Sequence, residues 1–280
     1  MHGKTCVITG ANSGIGKATA VELARRGAHV VMVCRSPERG AAAQAEIRRD
    51  SRSERVDLLT ADLGRLSTVR AVAAEIGQRY ERLDVLINNA GVYLAKRELS
   101  PDGYEATLSS NHLGHFELTR RLESILKADG GARVVNVSSA GHMLGRMPFD
   151  DLQAERGYQG LLTYCNWKLG NVLFSNELAR RWAGSGVTSN ALHPGAVASG
   201  FAHNNKDWFG GIVKLGRAFL ISSAKGARTS VHLACAPEVE GVTGGYFQRS
   251  KASKASRRAR NEADARRLWA VSEELADRIE

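Results

Sequence analysis

The feature that most constrains this 280-residue chain is a regular alternation of two patterns. Short apolar runs rich in β-branched residues, at 5–9, 29–33, 56–60, 85–88, 133–137 and 188–192, alternate with stretches whose apolar residues recur at helical spacing. Those helical stretches span 15–26, 37–50, 66–80, 102–126 with a break near Gly114, and 162–184. Strands joined through helices run parallel, and nearly continuous apolar strands are buried on both faces. The pattern therefore predicts an α/β fold, a doubly wound parallel sheet with helices on both faces. A seventh, shorter strand is expected at 245–248 after a helix at 225–234, and Leu268, Val271 and Leu275 place a final helix at 262–280. Two segments interrupt the alternation: 140–160, rich in turn residues, and 199–223, which is glycine-punctuated yet carries Phe201, Trp208, Phe209 and Phe219. With 43% hydrophobic residues the chain can bury one sizeable core, so residues 1–280 are expected to form a single domain.

Several classes are argued against. No apolar run approaches the roughly 18 residues that span a bilayer, and the first four residues leave no room for a secretory leader, so a cytoplasmic protein is expected. Cys6, Cys34, Cys165 and Cys235 stand singly, at neither disulfide-framework nor zinc-ligand spacing, and His112, His115, His142 and His193 share no metal-ligand spacing. No metal is expected. The net charge of +10 is concentrated: residues 249–267 hold eight Lys or Arg against two acidic residues, supplying +6. That segment has no interleaved aromatics to stack on bases, so it reads as solvated surface and no nucleic-acid partner is expected.

The first strand runs into Thr9-Gly10-Ala11-Asn12-Ser13-Gly14-Ile15-Gly16 and then a helix. Glycines here let backbone amides and a helix N-terminus approach an anion such as a pyrophosphate, although a glycine-rich turn alone also serves as a plain connection. The end of the second strand, where an NAD-binding Rossmann-type fold usually has an acidic residue for the ribose 2′-hydroxyl, carries Cys34-Arg35. Arg35, assisted by Lys17 or Arg39, suits a 2′-phosphate; the bland alternative is a solvated loop residue, and its place at the strand end favours the phosphate. Tyr164 and Lys168 lie four apart on a predicted helix, hence on one face, where an ammonium and a cationic ring would favour the phenolate. Alone, such a pair also decorates helix surfaces.

Taken in order, these motifs resemble the short-chain dehydrogenase/reductase family over nearly the whole chain. Beside the glycine turn, with Gly10, Ser13, Gly14, Ile15 and Gly16 at the cofactor, stand Asp62-Leu63 after the third strand and Asn88-Asn89-Ala90-Gly91 after the fourth. Asn111 lies in a helix, Ser139 closes the fifth strand, and Pro194-Gly195, with Val197 beyond, follows the sixth. The resemblance is nearest to the retinol dehydrogenase-like branch. It is carried by Asn111-His112-Leu113-Gly114-His115-Phe116, by His193-Pro194-Gly195, by the 25-residue step from Ser139 to Tyr164, and by Ala259-Arg260-Asn261 and Leu268-Trp269. Membrane-associated members of that branch carry an apolar N-terminal anchor, and none is expected here.

The resemblance implies an NADP(H)-dependent enzyme interconverting an apolar alcohol and its aldehyde or ketone. Ser139 would orient the substrate oxygen and Tyr164 exchange its proton. Lys168 would lower the Tyr164 pKa and hold the cofactor ribose, and Asn111 would hold a water leading from Lys168 to solvent. Asp62 would sit near the adenine, Asn89, Ala90 and Gly91 would line the cofactor, and 199–223 would form a lid closing over an extended apolar substrate. The family commonly dimerises through the helices around 102–126 and 162–184, so a homodimer is expected. Two rival expectations are a pigment-precursor reductase, which shares the long Ser-to-Tyr step, and a non-catalytic NADP sensor, from which loss of the tyrosine or lysine would be expected.

Overall fold

The alternation resolves into a single sheet whose strand ends bring the motifs together. The computed structural model describes residues 1–195 and 221–279; Val197 and nearly all of the expected lid, 199–223, lie outside the described residues. The strands are β1 (Thr5–Thr9), β2 (His29–Cys34), β3 (Val56–Thr60), β4 (Val85–Asn88), β5 (Arg133–Val137), β6 (Thr188–His193), β7 (Tyr246–Gln248) and β8 (Lys251–Ser253). They pair in the order β3-β2-β1-β4-β5-β6-β7-β8, all parallel except β8. The helices are α1 (Gly14–Arg25), α2 (Pro37–Ser51), α3 (Leu66–Arg79), α4 (Ala106–Leu108), α5 (Gly114–Arg121), α6 (Glu123–Lys127), α7 (Gly160–Arg181), α8 (Ser223–Cys235) and α9 (Glu262–Asp277).

Successive strand residues point to opposite faces, and the two cores follow that rule. Cys6 and Ile8 pack with Ala20 and Leu23 of α1, Ile47 of α2 and Val231 of α8, while Val7 and Leu86 pack with Val69 and Ile76 of α3, Phe116 of α5 and Phe174 of α7. Each such fully buried aliphatic side chain contributes roughly 1.5–3 kcal/mol. Among the described residues, no helix is long and apolar enough to cross a membrane.

The structure differs from the expected elements in two places. The helix expected over 102–126 begins at Ala106 and passes through a π turn, Ser109–Leu113, before continuing as α5. The irregularity therefore precedes Gly114, whose lack of a side chain serves packing: a Cβ there would overlap the Leu63 carbonyl. The eighth strand arises from a tight turn at Arg249 (φ 51°) and Ser250 (φ 58°). Two successive left-handed residues make a hairpin turn that ordinarily announces itself as Asn-Gly. The final helix is present as expected: α9 lies against α5 and α7, where Trp269 meets Phe116 at 5.0 Å and stacks on Phe174 at 5.9 Å. The Arg70 guanidinium fastens its end by donating to the carbonyls of Ala276 and Ile279 at 2.7 and 2.6 Å and to Glu117 at 2.7 Å. Burial works against the Glu117 carboxylate, but hydrogen bonds from Arg70, Arg121 and Arg120 hold it below the ordinary carboxylate value.

Candidate active site

The glycine turn and the loops after β2, β3, β4, β5 and β6 emerge at the carboxyl edge of the sheet, where open α/β sheets bind ligands at the change of strand order. Here that change lies between β1 and β4. Gly10 (φ +67°) and Gly14 (φ +56°) take conformations that disfavour side chains, and a Cβ on Gly10 would come within 3.0 Å of Ala90. On Gly16 it would overlap the Gly10 carbonyl and the Asn89 amide. The turn is thus packed against the loop after β4. That contact is fixed by Thr9, whose hydroxyl accepts from the backbone N–H groups of Asn89 and Ala90 at 2.9 and 3.0 Å, while the Asn89 amide donates to the Thr9 carbonyl at 2.8 Å. Ser13 stands at the N-cap of α1 without a side-chain cap bond, leaving first-turn amides available to an anion.

Beyond the turn, Arg35 is exposed at the end of β2 and makes no hydrogen bond or ion pair among the described residues. Lys17, an alternative to Arg39 for assisting it, is paired with Glu46 at 2.5 Å across α1 and α2. Asp62 accepts from the Gly64 N–H at 2.9 Å, Leu63 is buried, and Pro194-Gly195 leaves β6 with Gly195 at φ +99°. The bare glycine cradle and the uncapped helix start suit the phosphates of a dinucleotide.

The chemistry-bearing side chains converge from β5, α7 and the π turn. Ser139, at the start of a short 3-10 turn, accepts from the Gly141 N–H at 3.1 Å and shares a hydrogen bond with the Tyr164 hydroxyl. Tyr93 meets the Tyr164 ring edge-on at 6.3 Å. One turn along α7, the buried Lys168 ammonium lies 5.6 Å from the Tyr164 ring centre and donates to the Val137 carbonyl at 3.2 Å. Ser138, its hydroxyl donating to the Lys168 carbonyl at 2.6 Å, ties the end of β5 to α7.

Burial sets the proton affinities here. It pushes the Tyr164 phenol up from its ordinary value, with the Ser139 hydrogen bond opposing, and pushes the Lys168 ammonium down to about 8. The phenol is thus held protonated. The Asn111 side chain accepts from the Val92 N–H at 2.7 Å and donates to the Val92 carbonyl at 2.9 Å. This holds the loop in which Gly91 approaches Lys168, since a Cβ on Gly91 would be 3.2 Å from the ammonium. Thr9, Tyr93, His115, His142 and His193 join this network, a part that the sequence analysis gave none of them. Nothing in their spacing marks them, because their partners come from distant strands.

The comparisons agree with the geometry. The model of the short chain dehydrogenase family matches residues 4–209. Human retinol dehydrogenase 12 is 45% identical over 279 residues, covering 98% of this chain and 87% of that protein; mouse retinol dehydrogenase 14 is 42% identical over 291, covering 98% and 86%. Among solved structures, an uncharacterized protein of Mycobacterium paratuberculosis superposes with a TM-score of 0.79 at 36% identity, covering 99% of this chain and 94% of that one. A protein of Beutenbergia cavernae assigned as an NAD(P)-dependent gluconate 5-dehydrogenase, with NADP bound at low occupancy, gives 0.72 at 27%, covering 88% and 95%. With its glycine turn, serine, tyrosine and lysine gathered at one sheet edge, the chain belongs to the short-chain dehydrogenase/reductase family, oxidoreductases that act on alcohol and carbonyl groups with a nicotinamide dinucleotide.

Proposed function

We propose that this chain is an NADP(H)-dependent carbonyl reductase of extended apolar aldehydes or ketones, in the manner of the retinol dehydrogenases it resembles, and that residues 1–280 act as one dinucleotide-binding unit. The observation that carries this reading is the Ser139–Tyr164 hydrogen bond with the Lys168 ammonium beside it, facing the edge that holds the glycine turn. In this reading Gly10, Ser13, Gly14, Ile15 and Gly16 cradle the pyrophosphate, Arg35 pairs with the 2′-phosphate, and Asp62 and Leu63 border the adenine. Asn89, Ala90, Gly91, Pro194 and Gly195 line the remainder, with Val197 following. The bound dinucleotide supplies the hydride. Ser139 holds the substrate oxygen, and Tyr164, kept protonated by burial, delivers its proton to it. Lys168 keeps a positive charge beside the phenol and the ribose site, and Asn111 fixes the Gly91–Val92 loop against it.

An apolar substrate fits the exposed Met143, Leu144 and Leu162, which sit on the two segments that carry Ser139 and Tyr164. Cofactor choice rests on Arg35, because a charge-assisted contact to phosphate contributes on the order of 1.5–3 kcal/mol, or roughly ten- to a hundredfold in affinity. Initial rates at 340 nm should favour NADPH over NADH by that factor in the wild type, and Arg35→Asp should reverse the order. Better use of NADH by the wild type removes the phosphate role.

The homodimer remains a proposal with one change. Because α9 of the same chain packs on α5 and α7, a second copy would have to meet α9 as well. Light scattering near 60 kDa, twice the chain mass of 30.2 kDa, supports it; a value near the chain mass makes α9 an internal substitute for the partner's helices.

A further inference from the structure

The peptide unit that follows Ser139 is held at both ends by imidazoles. His142, 1% exposed, approaches the Ser139 carbonyl with Nδ1 at 2.7 Å, and its own backbone N–H donates to the same oxygen at 3.1 Å. On the other side of that peptide, the Ala140 N–H donates to Nδ1 of His193 at 3.1 Å. The protonation pattern follows from the partners. A carbonyl only accepts, so Nδ1 of His142 carries the proton; the Ser256 N–H donates to its Nε2 at 3.2 Å, so that nitrogen is bare. His193 must be bare at Nδ1 to accept from Ala140. One ring is thus a donor at Nδ1, the other an acceptor at Nδ1, and together they leave the Ser139–Ala140 peptide one orientation.

The rings are themselves fixed. His142 packs on Tyr246 of β7, 4.8 Å between ring centres, and His193 is the last residue of β6. Ser256 belongs to the basic segment after β8, outside the residues matched by the family model. The same segment reaches the turn again where Arg258 donates to the Gly145 carbonyl at 3.2 Å. Burial lowers the proton affinity of both imidazoles from the ordinary histidine value, which keeps them in the neutral forms this arrangement requires.

We propose that His142 and His193 are positioning residues that act through the Ser139–Ala140 peptide to set the Ser139 hydroxyl against Tyr164, with the segment around Ser256 supporting His142 from behind. The proposal rests on the reading of Ser139 as the residue that holds the substrate oxygen. It also assigns a task to the C-terminal basic segment, which the charge pattern alone marked only as solvated surface.

Side-chain amides separate this role from plain packing. Asparagine reaches the Nδ1 position, where its NH₂ can donate to the Ser139 carbonyl or its oxygen accept from Ala140; phenylalanine keeps the ring and loses both bonds. Glutamine at 142 reaches the Nε2 position, keeping Ser256 and dropping Ser139. His142→Phe, His142→Gln and His193→Phe should lower kcat by roughly ten- to a hundredfold, the scale of a misplaced reacting group, with the NADPH Kd within about twofold of wild type. His142→Asn and His193→Asn should recover most of that loss. In a Ser139→Ala background the phenylalanine substitutions should change kcat by less than about twofold, because the hydroxyl they act through is gone. Asparagine variants as poor as phenylalanine ones, or losses that multiply in the Ser139→Ala background, overturn the proposal. If a phenylalanine variant fails to fold, His142→Gln against His142→Asn decides it. Ser139→Ala alone reports on the reading beneath: full turnover there refutes the role of Ser139.

Discussion

Tyr164→Phe should lose turnover by on the order of 10²–10⁴-fold, the usual contribution of a positioned acid or base, while NADPH binding stays near wild type. The two effects separate because the ring and the hydroxyl do different things. The ring packs edge-on against Tyr93 and beneath the Lys168 ammonium, contacts that phenylalanine keeps. The hydroxyl pairs with Ser139 and carries the proton, and burial holds that proton in place at neutral pH. Cofactor fluorescence and steady-state rates on the same preparation read both. Substantial activity in Tyr164→Phe removes the tyrosine from the reaction, and a parallel loss of NADPH binding makes its role structural.

The second large effect joins activity to stability with opposite signs. Lys168 is 3% exposed and desolvation depresses its ammonium from 10.5 to about 8. A depressed lysine destabilises the fold wherever the unfolded chain would hold the proton more tightly. The penalty is therefore complete below pH 8, shrinks as pH rises from about 8, and vanishes above the unfolded value of 10.5. At pH 7 it amounts to roughly 3 kcal/mol at 1.36 kcal/mol per pKa unit. Lys168→Met fills similar volume without the charge, and the Val137 carbonyl still accepts from Asn171 at 3.3 Å. Lys168→Met should thus unfold at higher denaturant concentration at pH 7, with the advantage fading toward pH 10.5, while turnover falls on the order of 10²–10³-fold. A variant that is less stable at pH 7 contradicts the desolvation account; one that keeps its rate shows the ammonium to be dispensable.

The parts legible in the sequence are those written in local periodicity. The six long strands and the helices between them appear within a few residues of their expected ends, and the glycine turn, Asn89-Ala90-Gly91, Ser139, Tyr164 and Lys168 all lie at the expected sheet edge. What escaped is set by tertiary partners. The π turn at Ser109–Leu113 has no composition of its own, and it is the two bonds between Asn111 and Val92 that fix its side chain. The β7–β8 hairpin turns on Arg249-Ser250, residues that do not advertise left-handed backbone. Lys17 sits beside the glycine turn in sequence, but its charge is held by Glu46 of the neighbouring helix.

The central claim, an NADPH-linked reduction of extended apolar carbonyl compounds, is tested most directly by catalytic efficiency at 340 nm across a homologous series of unbranched aldehydes. Each buried CH₂ contributes about 0.8 kcal/mol, or roughly fourfold in kcat/KM if it is buried in the transition state. The account predicts a steady climb with chain length, with small polar carbonyl compounds such as sugars and keto acids turned over poorly. A flat series, or polar substrates used as well as long apolar ones, would contradict it.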